Sequence, residues 1–213
     1  MTGILKSCLE ALSYFHDAGI AHRSLGRNSV IVSSVGMDKA EAFSPYATTT
    51  SRLVIKFSDL GFSGDVYASS NDASFRSRAR GFGLDVREGE TSISSSAFAF
   101  AEDLHALGFV FLGLLLSSLA ELPSPGYQIP ATDEDSLQRL IGDIFKKDMQ
   151  EFRDYCEAEE CWSRVVELLD ENDRAGWNLL QSMCFARERA AELQGSFQLV
   201  TAQGLLSSPF FKN

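Results

Sequence analysis

The residues whose types and spacing could do chemistry lie in two short polar stretches. The first contains the sequence His-Arg-Ser-Leu-Gly-Arg-Asn-Ser at positions 22–29, and the second reads Ser-Asp-Leu-Gly at positions 58–61. The carboxylate of Asp59 is a hard oxygen ligand of the kind that Mg²⁺ takes together with nucleotide phosphates. The hydroxyl of Ser24 is neutral and therefore a poor general base. These stretches predict a site that could hold a cation but lacks a proton acceptor at position 24.

A helix and two short strands are expected to position these stretches. Apolar residues recur at helical spacing before the first stretch, and Gly19 is the predicted left-handed residue that ends this helix. The apolar face of the helix comprises Ile4, Leu5, Cys8, Leu9, Leu12 and Phe15. Short β-type runs follow at positions 30–32 and 53–57. The predicted order is helix, polar loop, strand, long loop, strand and acidic turn.

This order resembles the catalytic loop and metal-binding turn in the C-terminal lobe of eukaryotic-type protein kinases. Where that family reads His-Arg-Asp-Leu-Lys-x-x-Asn, this chain reads His-Arg-Ser-Leu-Gly-Arg-Asn-Ser. The resemblance puts Ser24 at the position of the catalytic base, next to Arg23. It puts Gly26 at the phosphate-binding lysine and Ser29 at the metal-ligand asparagine. Asn28 lies one residue too early to fill that last position without a shift in register.

The resemblance also implies roles for residues that the family keeps. Asp59 would be the remaining metal ligand, and Ile31 would form part of the floor under an adenine ring. His22 would be a packed histidine that hydrogen-bonds backbone near the metal-binding turn. A buried structural histidine is also the common role of a lone histidine, so both lines of reasoning agree.

Two features argue against phosphoryl transfer. Loss of a general base at Ser24 typically costs ~10²–10⁴-fold in rate, and Gly26 offers no charge to the transferred phosphate. The chain also begins at the helix before the loop, so we expect the glycine-rich loop, the strand lysine and its glutamate partner of the N-terminal lobe to be absent. Those groups position the nucleotide in kinases. No cofactor is therefore required, and ATP with Mg²⁺ is expected to bind only weakly.

The sequence Asp-Leu-His-Ala-Leu-Gly at positions 103–108 resembles the kinase motif Asp-x-Trp/Tyr-Ser-x-Gly at the start of the central buried helix. We expect that helix to run from about Ala101 to Leu119. The carboxylate of Asp103 would then lie within hydrogen-bond reach of the backbone in residues 22–25, and His105 would fill the aromatic position. The stretch 201–211 is similar to the closing Thr-Ala-x-x-x-Leu-x-His-Pro-Phe-Phe of the family.

Two long connections are predicted. Residues 33–52 form a Ser/Thr-rich insertion that we expect to be mobile, and residues 62–100 correspond to the activation segment. The second is rich in arginine and serine: Arg76, Arg78, Arg80, Arg87, Ser92, Ser94, Ser95 and Ser96. Phosphorylated serines could pair with these arginines and order the segment. The alternative is a solvated flexible loop.

One ion pair of the kinase fold has no clear counterpart in the sequence. Glu88 or Glu90 lies at about the distance at which the family's Ala-Pro-Glu ends the activation segment. The arginine that pairs with that glutamate is replaced by Leu199, and Arg187 or Arg189 is a candidate substitute.

Composition limits the remaining alternatives. A chain of 213 residues fits a single domain, and its net charge of −10 argues against nucleic-acid and membrane-surface binding. Most of that charge lies at 133–174, as either a solvated helical face or a docking surface for a basic partner. Four scattered cysteines favour a reducing compartment, and the apolar run 106–116 is too short to span a bilayer. Helical stripes expected in the core comprise Leu137, Leu140, Ile141, Ile144, Phe145, Trp162, Val165, Val166, Leu169, Trp177, Leu179, Leu180 and Met183.

The expected fold is therefore mainly α, a kinase-like C-lobe of residues 1–213 built around one buried helix, with a few short strands near the catalytic loop. The expected function is that of a truncated, catalytically impaired pseudokinase that binds or regulates a protein partner. Two alternatives stay open: a divergent serine/threonine kinase whose N-lobe lies in a longer isoform, and a plain helical interaction domain. A fainter similarity to the thylakoid state-transition kinases of plastids would place the parent protein in a chloroplast rather than the cytoplasm.

Overall fold

The computed structural model describes residues 2–34, 53–90, 92–122, 124, 126–192 and 200–212. The predicted insertion lies outside the described residues beyond position 34, and so does Leu199. The described chain is mainly helical, with two short antiparallel ribbons, which confirms the predicted fold class at that level.

Helix α1 spans Thr2–Asp17 and leads directly into the first polar stretch. Four residues of its predicted apolar face, Leu5, Cys8, Leu9 and Leu12, are buried, and Ile4 and Phe15 at its two ends are half-buried. Gly19 ends the helix in a left-handed conformation, with φ of 73°. Its N–H donates to the carbonyl of His16 at 2.9 Å. The helix and its glycine stop are confirmed.

The strands form two separate pairs. They are β1 (Ile20–Ala21), β2 (Val30–Ser34), β3 (Leu53–Phe57) and β4 (Gly64–Asp65). β2 pairs with β3 in antiparallel register, with Val30 opposite Phe57, and β1 pairs with β4. Because β3 runs back alongside β2, the turn that follows Phe57 returns to the polar loop that precedes Val30.

Two helices occupy much of the region from residue 62 onward. Helix α2 spans Ala73–Gly81 and helix α3 spans Ile93–Ser118. Helix α3 therefore begins well before the predicted start at Ala101. The reason is a reciprocal cap, in which Ser92 Oγ accepts from the Ser95 N–H and Ser95 Oγ accepts from the Ser92 N–H. The predicted activation-segment loop thus includes α2 and about two turns of α3.

Helix α3 is the centre of the core. Among the described residues it is the one helix long and apolar enough to cross a membrane, and 78% of its most apolar window is buried inside the protein. It packs against a 3₁₀ turn at Val66–Asn71 and against the later helices α4 (Glu134–Arg139), α6 (Ser163–Cys184) and α7 (Ala186–Glu192). Helix α6 is kinked at positions 171–174, where its backbone is non-helical. Helices α5 (Met149–Ala158) and α8 (Ala202–Leu205) also follow α3 in the chain.

One predicted core residue is exposed. Ile144 is 66% exposed, whereas Leu137 and Ile141 of the same stripe are buried. A π-helical turn at Leu140–Ile144 continues α4. Since this turn is wider than an α-helical one, residues after Ile141 leave the α-helical stripe. The α-helical spacing therefore placed Ile144 on the wrong face.

Two glycines allow α3 to approach its neighbours closely. A Cβ at Gly108 would lie 2.9 Å from Met183 Cβ and 3.1 Å from the backbone nitrogen of Cys184. A Cβ at Gly113 would lie 2.5 Å from the carbonyl oxygen of Thr132. All three distances are shorter than van der Waals contact, so these positions fix how near α6 and the segment before α4 come to α3.

Candidate functional site

The carboxylate of Asp103 fixes the polar loop to the central helix. Asp103 is 1% exposed and lies near the middle of α3. Its Oδ2 accepts from the His22 N–H at 2.7 Å, and its Oδ1 accepts from the Arg23 N–H at 2.8 Å. These hydrogen bonds are the contacts that the sequence predicts. Because hydrogen bonds to an ionised acceptor are stronger than neutral ones, a single side chain holds the start of the loop.

His16 is a further partner of this carboxylate that the sequence reasoning missed. Its Nε2 lies 3.1 Å from Asp103 Oδ2, and its ring stacks on Phe100 with centroids 4.2 Å apart. The available signal was its place in the last turn of α1, directly before the loop. His16 therefore ties α1 to α3 at the same point.

His22 links the loop to the acidic turn. The ring is fully buried, and its Nε2 lies 2.9 Å from the carbonyl oxygen of Ser58. The Ser58 N–H in turn donates to the carbonyl of Ser29 at 2.9 Å. The loop therefore contacts both the N–H and the carbonyl of Ser58, the residue before Asp59.

The backbone is strained at two positions of the site. Arg23 and Asp59 both adopt left-handed conformations, with φ of 64° and 59°. Such a conformation is uncommon for residues other than glycine and persists only where surrounding contacts hold it. Asp103 binds the N–H of Arg23, and the Arg23 Nη2 donates to the Asp65 carbonyl at 2.8 Å and to Ser69 Oγ at 2.7 Å. The surrounding structure thus maintains the strained backbone at Arg23.

A cleft of about 380 Å³ lies at the loop and the acidic turn. Its lining residues are Ser24, Gly26, Arg27, Asn28, Ser29, Asp59, Asp133 and Glu134. The structure therefore brings together four of the residues that the sequence singled out, namely the base, lysine and asparagine positions and the carboxylate of the acidic turn. Ile31 lies on β2 with 46% of its surface exposed.

The hydroxyl of Ser29 is engaged inside the loop. Ser29 is 2% exposed, and its Oγ accepts from the Gly26 N–H and donates to the Gly26 carbonyl, both at 2.8 Å. This side chain closes a 3₁₀ turn at Arg27–Ser29. The residue at the metal-ligand position therefore serves to shape the loop.

Two carboxylates that the sequence did not assign to the site form the far wall of the cleft. Asp133 caps α4 by accepting from the Ser136 N–H at 2.9 Å, and this hydrogen bond lowers the pKa of its carboxyl group. Glu134 Oε1 lies 3.8 Å from Arg27 Nε, and Arg27 Nη2 donates to the Thr132 carbonyl at 3.2 Å. Arg27 thus holds this wall against the loop.

Of the three positions that the sequence assigns to metal or phosphate binding, only position 59 carries a charge. Asp59 supplies one carboxylate, Ser29 is engaged with Gly26, and position 26 carries no charge for a phosphate. In the part of the chain that the structure describes, no group of three or more His, Cys, Asp or Glu side chains is arranged to hold a metal ion.

Two arginines of the region 62–100 have partners within the protein. Arg78 forms a two-point ion pair with Glu102, at 2.5 Å and 3.0 Å, and this hydrogen bonding raises the pKa of Arg78. Arg76 donates to the Ser70 carbonyl and pairs with Glu88 at 3.3 Å. Among the serines, Ser95 is 1% exposed within α3. The hypothesis of phosphoserines pairing with free arginines therefore does not apply to Ser95, Arg76 or Arg78.

Arg187 occupies a different place from the one expected. Its guanidinium lies over the Phe82 ring, 5.2 Å from the centroid, and its Nη2 contacts His105 Nε2, whereas Glu88 pairs with Arg76. Burial and the charge of Arg187 lower the pKa of His105 to about 4. The neutral His105 ring therefore donates from Nδ1 to the Cys184 carbonyl and accepts from Arg187 at Nε2.

Comparisons of the chain with protein-family models and with the sequences of curated proteins find no match.

Proposed function

We propose that this chain is a protein-kinase-like C-lobe that acts by binding another protein and does not itself transfer phosphate. The observation that carries the proposal is the two-point contact of Asp103 with the backbone of His22 and Arg23. It gives the loop the defined shape that a catalytic loop needs, while the side chains at its catalytic positions are neutral.

The contacts around the cleft support a loop that is held in a defined shape but lacks catalytic side chains. His22 joins the loop to the acidic turn, and the strained backbone at Arg23 is held in place. Ser24 supplies no base at the position facing the cleft. Phosphoryl transfer depends almost entirely on positioning and electrostatic stabilisation, and the cleft offers little of either to a nucleotide.

Exposed apolar side chains near the cleft support a binding role. Phe62 is 72% exposed, Leu60 is 45% exposed and Ile31 is 46% exposed. Leu60 and Phe62 belong to the 3₁₀ turn that follows Asp59. Clustered exposed apolar residues mark interaction surfaces more often than isolated ones do.

The test is transfer of radiolabelled phosphate from ATP to a generic protein substrate, with Asp59→Asn as the matched control. We expect the unmodified chain and the control variant to show the same background signal. We also expect no thermal shift with ATP and Mg²⁺ at micromolar concentrations. Robust transfer that disappears in Asp59→Asn, or micromolar nucleotide affinity by calorimetry, would overturn the proposal.

A divergent serine/threonine kinase is the second candidate because Asp133 and Glu134 line the same cleft as Asp59. Either carboxylate could serve as a base in place of Ser24. The Asp133 carboxylate is already engaged in capping α4, so Glu134 is the better candidate. If transfer is observed, Glu134→Gln should abolish it and Asp133→Asn should reduce it less. Transfer unaffected by either variant would exclude this mechanism.

A further inference from the structure

Two further cavities lie around Arg187. The larger, of about 250 Å³, is bordered by Arg23, Arg78 and Arg187 and by two carboxylates that have partners within the protein, Glu102 with Arg78 and Asp103 with the backbone of the loop. The smaller, of about 170 Å³, shares His105, Gln138 and Arg187 with it. Aromatic and aliphatic side chains form much of the smaller cavity: Phe82, Phe109, Ile141 and Phe185. A compartment lined by charged side chains and a more apolar one therefore meet at a single guanidinium group.

The charge of Arg187 is not balanced by an ion pair of its own. Arg78 is paired with Glu102, and Lys147 is paired with Glu188 at 2.8 Å. Arg187 contacts neutral His105, and its buried Nε has no hydrogen-bond partner within the described part of the chain. The buried Nε of Arg23, which borders the same larger cavity, is likewise without a partner there.

An unmatched acceptor lies beside these unmatched donors. Glu188 Oε2 is buried and has no hydrogen-bond partner among the described residues, although Oε1 pairs with Lys147. Glu188 borders the smaller cavity. Leaving a buried polar group unpaired is energetically unfavourable. A ligand that accepts from Arg187 and donates to Glu188 would therefore relieve both costs.

We propose that these cavities bind an acidic residue of a partner protein, with its carboxylate on Arg187 in the larger cavity and an adjacent apolar side chain in the smaller one. A backbone N–H of the same segment would donate to Glu188. The inference rests on the proposed protein-binding function, but it uses a site separate from the cleft at Ser24.

The size and chemistry of the cavities favour a peptide segment. Each is smaller than the range of about 300–1,000 Å³ typical of sites for drug-sized ligands, so they suit single side chains. Phe82 covers one face of the guanidinium, which leaves its planar edge for an oxyanion, and arginine binds carboxylates through that edge. The donor from a peptide backbone matches Glu188, whereas a fully ionised phosphate has no hydrogen to donate to that carboxylate.

The experiment is an NMR titration of the ¹⁵N-labelled full chain with two peptide probes. Acetyl-Glu-Leu-amide carries the carboxylate, and acetyl-Gln-Leu-amide is its neutral counterpart. We expect the first probe to shift the Arg187 Nε–H signal and to bind roughly tenfold more tightly than the second, as one charge-assisted hydrogen bond predicts. Arg187→Met should abolish the difference. Arg189→Met should keep it, because Arg189 lies on the same helix and contacts Ser182 instead.

Each contrary outcome overturns the proposal. Equal binding of the two probes, no binding by either, retained preference in Arg187→Met, or shifts confined to the cleft at Ser24 would each do so. Inorganic phosphate is a third probe, and a response to phosphate without a response to the glutamate peptide would exclude the peptide. The comparison of probes on the unmodified chain decides the matter even if Arg187→Met fails to fold. Absence of kinase activity or nucleotide binding has no bearing on the result.

Discussion

Asp103 and Arg153 are both buried and charged, yet they organise two parts of the molecule differently. Asp103 accepts hydrogen bonds from the backbone N–H groups of His22 and Arg23, which belong to no helix or strand. Arg153 pairs at two points with Asp170, at 2.9 Å and 2.6 Å, and with Glu157 at 2.8 Å. It thereby joins α5 to α6 directly before the kink in α6 at positions 171–174, where the backbone is non-helical.

The two charges differ in what happens to their hydrogen-bond partners when the charge is removed. Without the Asp103 carboxylate, two backbone N–H groups in a buried region lose their acceptor. Without Arg153, its partners turn to water, since Asp170 is 31% exposed and Glu157 is 60% exposed. A charge whose partners are buried backbone groups is therefore harder to replace than one whose partners can reach water.

The largest effect is expected for Asp103→Asn, which should lower the free energy of unfolding by about 3–5 kcal/mol. The asparagine replaces an ionised acceptor and adds an N–H₂ group that can face the His22 and Arg23 donors. Urea denaturation measures the loss. Glu102→Gln is the matched control on the same helix and should cost under about 1 kcal/mol, because Arg78 is 43% exposed. Equal losses in the two variants would contradict the distinction.

His105 extends the comparison to a group that is buried in its neutral form. Its folded pKa of about 4 lies below the ordinary value of about 6.5. As the pH falls from about 6.5 to about 4, the unfolded chain binds the proton first, so folding stability decreases, by about 3 kcal/mol in total. Arg187, Glu188 and the Cys184 carbonyl face the ring.

The variant His105→Gln isolates this contribution from the other titrating groups. The difference in unfolding free energy between the unmodified chain and the variant should shrink as the pH falls through that window. Denaturant midpoints at intervals between pH 4 and pH 7 measure it. A difference that stays constant across the window would show that His105 does not titrate as its burial predicts.

A smaller loss, about 1–2 kcal/mol, is expected for Arg153→Met. Methionine keeps much of the apolar stem, and Asp170 retains the Trp177 Nε1 donor at 3.0 Å. Arg153 lowers the pKa of Asp170, so this pair contributes stability that is lost as the pH falls into the acid range. The variant lacks this contribution, so its free energy of unfolding should depend less on pH there. A loss as large as that of Asp103→Asn would show that the helical ion pairs matter equally.

The smallest effects on stability distinguish a residue that shapes the loop, Ser29, from Ser24, which the sequence predicts at the catalytic-base position. Ser29→Ala removes the hydroxyl that binds both the N–H and the carbonyl of Gly26, so it should cost about 1–2 kcal/mol. Ser24→Ala should change stability by less than about 0.5 kcal/mol, since Ser24 is a partly exposed lining residue. Parallel denaturation curves test the pair, and a reversed order would mean that Ser24 shapes the loop.

The sequence predicted the features that local patterns determine. The apolar spacing of α1, the glycine at position 19 and the β-type runs each depend on neighbours in the chain. The contact of Asp103 with residues 22 and 23 is long-range, but two motifs at a family-like separation indicated it. The acidic wall at Asp133 and Glu134 had no such motif, because Arg27 and the Thr132 carbonyl join it to the loop only in the folded chain.

Two predictions were wrong because residue type alone did not reveal the local backbone geometry. The serines at 92 and 95 fit a flexible loop and a helix cap equally well, so the start of α3 was placed too late. Ile144 fits an α-helical stripe, but the π-helical turn moves it to the surface. In both cases a few hydrogen bonds, rather than hydrophobicity, decide the outcome.

Gly113 has a consequence for how the cleft could change during evolution. The carbonyl of Thr132 rests where a side chain at position 113 would be, and the two acidic lining residues follow directly after it. A methyl group at position 113 would force that carbonyl to retreat by on the order of 1 Å to reach normal contact. The acidic wall would move with it. A single substitution on the buried helix could thus widen the cleft while every residue that lines it stays the same.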